Sequence, residues 1–246
     1  MAICLLVRHG RTSANADGIL AGWTPGLGLD QTGMEQAARV AGRLADARLV
    51  RLVTSPLQRC RETAEVLRDG IPQGARPEVE TEDRLAEARY GAWTGRLLKE
   101  LAEDPLWRDV QDRPSTVTFP AHDDHEHESM TAMQARAVQA LQEWDGRVEA
   151  EHGPGAVWAA VSHGDVIKAL LADALATPLD EFQRIVVDPA SVSIVQRTVT
   201  RSFVLRTNDT GSDPVDLSGL TARLAAVGST GDAAVGGGAG QPAPRT

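Results

Sequence analysis

Leu5-Leu6-Val7-Arg8-His9-Gly10-Arg11-Thr12, continued by Ser13-Ala14-Asn15, is the stretch on which the fold turns. The apolar run from Ile3 to Val7 stops abruptly at an arginine, a histidine and a glycine. A short apolar run bounded by a turn signal reads as a strand buried in a parallel sheet. Arg8 and His9 then emerge at its carboxyl end, where open α/β sheets bind ligands. A cation, an imidazole and a flexible backbone suit an anionic group such as phosphate. A histidine leaving a strand is also an ordinary polar residue, so the rest of the chain must supply its partners.

Working outward, two further runs have the same character. Leu49 to Thr54 is β-rich and is followed by Ser55 as an N-cap, Pro56 at the first helical position and a helix through Leu57, Ala64 and Leu67. Ala156 to Ser162 ends in His163-Gly164-Asp165, and a helix from about Asp165 to Leu175 follows. Thr32-Gly33-Met34-Glu35 has capping-box spacing, ahead of Ala37, Val40, Ala41 and Leu44 at helical period. Strand–helix alternation predicts an α/β fold, a three-layer sandwich with a mostly parallel central sheet flanked by helices. Glu78 to Glu80 is a short strand, and Ser191 to Arg197 with Ser202 to Thr207 form two β segments joined tightly. Ala16 to Asp30 and Arg84 to Gly95 read as loops. Leu97 to Glu103 is a short helix stopped at Asp104-Pro105. Met130, Met133, Ala137, Leu141, Trp144 and Val148 form a core-facing helical stripe. From residue 208 the composition turns to Gly, Ala, Ser, Thr, Asp and Pro, so the expectation is one domain over 1–207 and a largely disordered tail over 208–246, with a weak helix at Leu217, Leu220 and Leu224.

The 246 residues suffice for a core, and 42% hydrophobic content is ordinary for a globular protein. The formal charge of −9 argues against bulk binding to nucleic acid or acidic membranes. No apolar span approaches the roughly 18 residues of a membrane helix, and the N-terminus is not that of a signal peptide. Cys4 and Cys60 fall within predicted elements and are not a disulfide framework, which favours a cytoplasmic protein. His122, Asp123, Asp124, His125, Glu126, His127 and Glu128 resemble metal-ligand density. A consecutive polar run on a loop does not fix ligand geometry, so it reads as a solvated loop.

Three strands thus end in polar signatures: Arg8-His9-Gly10, Ser55 with Arg59 one turn later, and Ser162-His163-Gly164. In a parallel sheet these ends share an edge. Paired arginines offer permanently charged forks to phosphoryl oxygens, and a helix start at Asp165 adds amide donors. A neutral imidazole can attack phosphorus, and a second histidine, if protonated, stabilises the equatorial oxygens. The leaving alkoxide needs a proton from a carboxylic acid.

Arg8-His9-Gly10-Arg11-Thr12-Ser13-Ala14-Asn15 resembles the signature of the histidine phosphatase superfamily, in its phosphoglycerate-mutase-like branch. Ser55-Pro56-Leu57-Gln58-Arg59 with Thr63-Ala64, Leu85-Ala86-Glu87 with Gly91-Ala92-Trp93-Thr94-Gly95, and Val161-Ser162-His163-Gly164 resemble its further motifs, in its order. The resemblance covers about residues 3–207. It implies His9 as the phosphorylated nucleophile, Arg8, Arg59 and His163 as phosphoryl ligands, and Glu87 as proton donor and then base. It implies Asn15, with Thr12, Gly22, Arg61, Tyr90 and the Gly164 amide, at the substrate. Read alone, Arg59 and Arg61 are surface cations, Glu87 a solvated acid and Trp93 a loop-packing residue. Arg11 replaces an acidic or amide residue and implies a more basic mouth. Ala21-Gly22-Trp23 and His127-Glu128-Ser129 also depart from the family pattern, the latter after a run that could be a lid insertion.

The expected activity is metal-independent phosphomonoester hydrolysis with no metal and no cofactor. The alternatives are a phosphomutase, a non-catalytic phospholigand-binding module and a metal-dependent hydrolase built on His122, His125 and His127. The Glu87 region lacks the long insertion of true phosphoglycerate mutases, which favours the phosphatase. The expected partner is a small phosphorylated metabolite, with neither nucleic acid nor membrane, and a homodimer is the assembly allowed for.

Overall fold

A computed structural model describes residues 2–198, 200–211 and 236. The elements run β1 (Ile3–Arg8), α1 (Ser13–Asp17), α2 (Gln31–Leu44), β2 (Leu49–Thr54), α3 (Gln58–Asp69), β3 (Glu78–Thr81), α4 (Leu98–Leu101), α5 (Leu106–Asp112), α6 (Met130–His152), β4 (Val157–Ser162), α7 (Gly164–Ala174), β5 (Val192–Arg197) and β6 (Ser202–Asp209). The strands form one six-stranded sheet in the order β3-β2-β4-β1-β5-β6. The first four strands are parallel, and the β5–β6 hairpin adds an antiparallel edge beside β1. The α/β sandwich expected from strand–helix alternation is therefore the observed fold.

The near-continuous apolar runs of β1 and β4 are explained by burial on both faces. On one face Val40, Ala41, Cys60, Ala64 and Leu67 of α2 and α3 pack against Leu5, Val7 and Leu52. On the other, Met133, Ala137, Leu141, Ile167 and Leu170 of α6 and α7 pack against Cys4, Leu6 and Trp158. All six residues of the predicted α6 stripe are buried. Truncating such a leucine to alanine typically costs about 2–5 kcal/mol. Cys4 and Cys60 are both buried free thiols.

Several local expectations are corrected. The cap of α2 is Asp30, whose carboxylate accepts the Gly33 amide at 2.7 Å, two residues before Thr32. Thr32 instead accepts from Arg11. α3 begins at Gln58 with Leu57 as its cap residue, so Ser55 and Pro56 lie ahead of the helix. The loop read from Ala16 begins inside α1, which Thr12 and Asn15 close as a capping box. The helix read over Leu97 to Glu103 is shorter, and Asp104 accepts the Leu106 amide to start the unpredicted α5. β6 extends past residue 207 to Asp209. The tail expectation, including Leu217, Leu220 and Leu224, lies outside the described residues except for residues 208–211 and Gly236.

Parallel register sets the strand ends side by side. Arg8 pairs with Ser162, and Thr54 pairs with Val161. The His9 amide donates to the Ser162 carbonyl and the Ser55 amide to the Val161 carbonyl, both at 3.0 Å. A Cβ on Gly10 would lie 2.5 Å from the Gly33 carbonyl oxygen, so only glycine lets the start of α2 approach the end of β1 this closely. Among the described residues, no helix is long and apolar enough to cross a membrane.

Candidate active site

Arg8, His9, Arg59, Glu87 and His163 are all buried. His9, Arg59 and Glu87 line one cavity with Asn15, Gly22 and Leu98. The His9 and His163 rings lie 5.2 Å apart, tilted by 61°. Nδ1 of His9 is 2.7 Å from the Gly10 carbonyl oxygen. A carbonyl only accepts, so in the neutral ring the proton sits on Nδ1 and the lone pair on Nε2. Burial, then the charges of Arg59 and Arg8, push the His9 pKa well below its ordinary value. The ring is therefore a neutral base with a free lone pair, as a nucleophile must be.

His163 is also held neutral, by burial first and then by Arg59. The protonated second imidazole expected from the chemistry is thus disfavoured among the protein's own charges. A bound dianion would oppose that effect, since an opposite charge favours the cationic ring. His163 Nε2 is 2.7 Å from Ser55 Oγ, and Cys60 Sγ is 3.4 Å from the same nitrogen. Ser55 therefore orients the imidazole, and the same hydroxyl accepts the Leu57 amide at 3.3 Å just ahead of α3.

Glu87 Oε2 lies 3.7 Å from His163 Nδ1, while Oε1 accepts the Ala88 amide at 3.0 Å. Burial, then the neighbouring Asp165, raises its pKa to about 7. That value keeps a carboxylic acid available near neutral pH. Its loop is irregular yet firmly held. Arg136 on α6 donates to the carbonyls of Arg84, Ala86 and Glu87 and pairs with Glu128 at 2.6 Å. Ser162 Oγ donates to the Leu85 carbonyl at 2.7 Å, and Trp23 Nε1 to the Glu87 carbonyl at 2.8 Å.

The guanidinium groups are oriented by backbone carbonyls. Arg8 Nη1 donates to Val187 at 2.8 Å, and Arg59 Nη2 to Gly22 at 2.9 Å. Asn15 Oδ1 accepts from the Thr12 amide and hydroxyl, so its amide NH₂ remains for a ligand. Thr12 itself is committed to that cap. Gly164 is the first residue of α7, at a helix N-terminus suited to anions. Tyr90 is buried and donates to Asp165 Oδ2 at 2.8 Å. Arg61 is exposed on α3 and does not line the cavity. Trp93 is fully buried against Trp107 and Phe119.

The departures noted in the sequence acquire structural roles. Arg11 is paired with Asp30 at 2.8 Å, so its charge is compensated and the expected basic mouth is reduced. Glu128 serves Arg136 and the Arg89 amide, and Ser129 caps α6. The acidic, histidine-rich run is largely exposed, with the Glu126 carbonyl accepting the Gly91 amide. No cluster of metal-ligating side chains occurs among the described residues. Beyond the roles expected from the sequence, Ser55 contacts His163, Arg136 holds the Glu87 carbonyl, and Asp165 is near enough to Glu87 to shift it.

The chain is 25% identical over 205 residues to the 2,3-bisphosphoglycerate-dependent phosphoglycerate mutase of Thermoplasma acidophilum, covering 83% of this chain and 92% of that protein. It is 29% identical over 212 residues to phosphoserine phosphatase 1 of Hydrogenobacter thermophilus, covering 85% and 93%. The structure resembles Bacillus stearothermophilus YhfR with a TM-score of 0.72 at 27% identity, covering 85% of this chain and 98% of that one. The sequence pattern of the histidine phosphatase superfamily (branch 1) matches residues 4–210. Its relatives thus include a named phosphomutase and a named phosphatase. This chain belongs to the histidine phosphatase superfamily, branch 1.

Proposed function

We propose that the protein hydrolyses a small phosphomonoester through a phosphohistidine on His9. The observation that carries this reading is one cavity lined by a lone-pair-bearing His9, the Arg59 cation and a protonatable Glu87. Nε2 of His9 attacks phosphorus in line, forming the N–P bond as the P–O bond to the alcohol breaks. Arg8, Arg59 and His163 hold the equatorial oxygens, with Asn15 and the Gly164 amide as further donors. Glu87 gives its proton to the departing oxygen. Its carboxylate then takes a proton from water as that water attacks phosphorus, releasing His9 and inorganic phosphate.

This chemistry asks nothing of a metal. Measuring inorganic phosphate released from a panel of phosphomonoesters, with His9→Ala as the control, tests the reading. Transfer of the phosphoryl group between hydroxyls of a phosphoglycerate, without release, would favour the mutase instead, as in the Thermoplasma relative.

A further inference from the structure

Gly236 lies outside the matched residues 4–210, yet it lines the same cavity as His9, Arg59 and Glu87. Its carbonyl oxygen accepts from Arg8 Nη2 at 3.0 Å, across 228 positions of sequence. Its amide donates to Asp165 Oδ2, also at 3.0 Å. One residue of backbone therefore bridges a phosphoryl-binding guanidinium and a buried carboxylate. The fit is selective. Gly236 has φ of +70°, and a Cβ there would lie 3.0 Å from Leu20 Cδ1. A residue without a side chain takes that conformation without strain.

Asp165 makes sense in the same terms. A buried carboxylate beside a pocket for anions opposes phosphate binding, and the proposed phosphoryl transfer gives it no step. Tyr90 fixes Oδ2, and Lys168 Nζ lies 3.5 Å from Oδ1. Held in this way, the carboxylate is a ready acceptor for an N–H, and the Gly236 amide supplies one.

We infer that Arg8 and Asp165 form a donor–acceptor subsite for peptide backbone, and that the chain's own Gly236 occupies it and competes with phosphoryl ligands for Arg8. The identity of the competing ligand rests on the phosphatase reading; the occupancy does not. An occupied fraction f raises an apparent dissociation constant by 1/(1 − f), so nine-tenths occupancy weakens binding about tenfold.

The test uses the full-length chain and orthovanadate, with binding measured by calorimetry. Gly236→Pro removes the amide N–H and fixes φ near −65°. Gly236→Val keeps the N–H but adds the clashing side chain. Both are expected to bind orthovanadate about three- to tenfold more tightly than the native chain, with melting temperature unchanged. KM for 4-nitrophenyl phosphate should fall by the same factor with kcat constant. Orthovanadate affinity equal to the native chain's in both variants overturns the proposal. Tightened orthovanadate binding without turnover of any phosphomonoester would sink the phosphatase reading and leave the backbone subsite standing.

Discussion

Glu87 Oε2 stands 3.7 Å from Nδ1 of His163, with both side chains buried. In that setting both groups favour their uncharged forms. The carboxyl is held protonated up to about pH 7, and the imidazole is held neutral. An acid that keeps its proton beside His9 and Arg59 is what the proposed departure of an alkoxide requires.

Replacing Glu87 by glutamine should therefore separate substrates by leaving group. kcat/KM for alkyl phosphates, which reports the step that phosphorylates His9, should fall about 10²–10⁴-fold, the usual contribution of a general acid. kcat/KM for 4-nitrophenyl phosphate should fall much less, because nitrophenolate leaves without a proton. Equal losses in kcat/KM on both substrates would contradict the proposed acid role.

The pH profile follows from the same group. With alkyl phosphates, kcat/KM should decline about tenfold per unit above pH 7 as Glu87 loses its proton. His9 titrates well below its ordinary value, so it adds no loss between pH 6.5 and 7.

Stability should run against activity at this position. The folded pKa of about 7 exceeds the ordinary 4.5, so the native state holds the proton more tightly than the unfolded chain. Glu87 therefore stabilises the fold less as pH rises from 4.5 to 7, by on the order of 3 kcal/mol. Glu87→Gln should raise the melting temperature at pH 8 and leave it nearly unchanged at pH 4.5. Thermal melts at the two values check this.

Arg136 gives a positioning prediction. It ties three carbonyls of the Glu87 loop to α6 and neutralises Glu128, which is itself nearly buried. Arg136→Ala should destabilise the protein by about 3 kcal/mol by stranding that carboxylate. It should also lower kcat/KM for alkyl phosphates more than for 4-nitrophenyl phosphate, a difference that a purely structural role would not produce.

What could be read from the chain follows the range of the interactions. β1 and β4 announce themselves through uninterrupted apolar runs and β2 through a β-rich run broken by Arg51, and their parallel pairing brings Arg8-His9, Ser55 and His163 to one edge. The α6 stripe is legible because helical period is local. Arg136 was not legible, because the carbonyls that it holds are 49–52 positions away on a loop without period. Ser55 shows a related limit: local spacing suits a helix cap, and its hydroxyl does accept the Leu57 amide, but the same hydroxyl meets His163, 108 positions away. Arg11 and Thr12 show the same competition, with Asp30 and Asn15 as the partners that win.

The histidine-rich run supplies a negative prediction. His122→Ala, His125→Ala and His127→Ala combined should leave phosphatase activity within about twofold of native, as for largely exposed side chains that do not line the cavity. Dialysis against a chelator should have no effect. Loss of activity on chelation, restored by a divalent cation, would point to a metal-dependent route.

The central claim is tested most directly by trapping the intermediate on His9. Brief incubation with a ³²P-labelled phosphomonoester, quenched in alkali where a phosphohistidine survives, should label the native chain and leave His9→Ala both unlabelled and inactive. Native protein that turns over substrate without becoming labelled, or a fully active His9→Ala, would contradict the account.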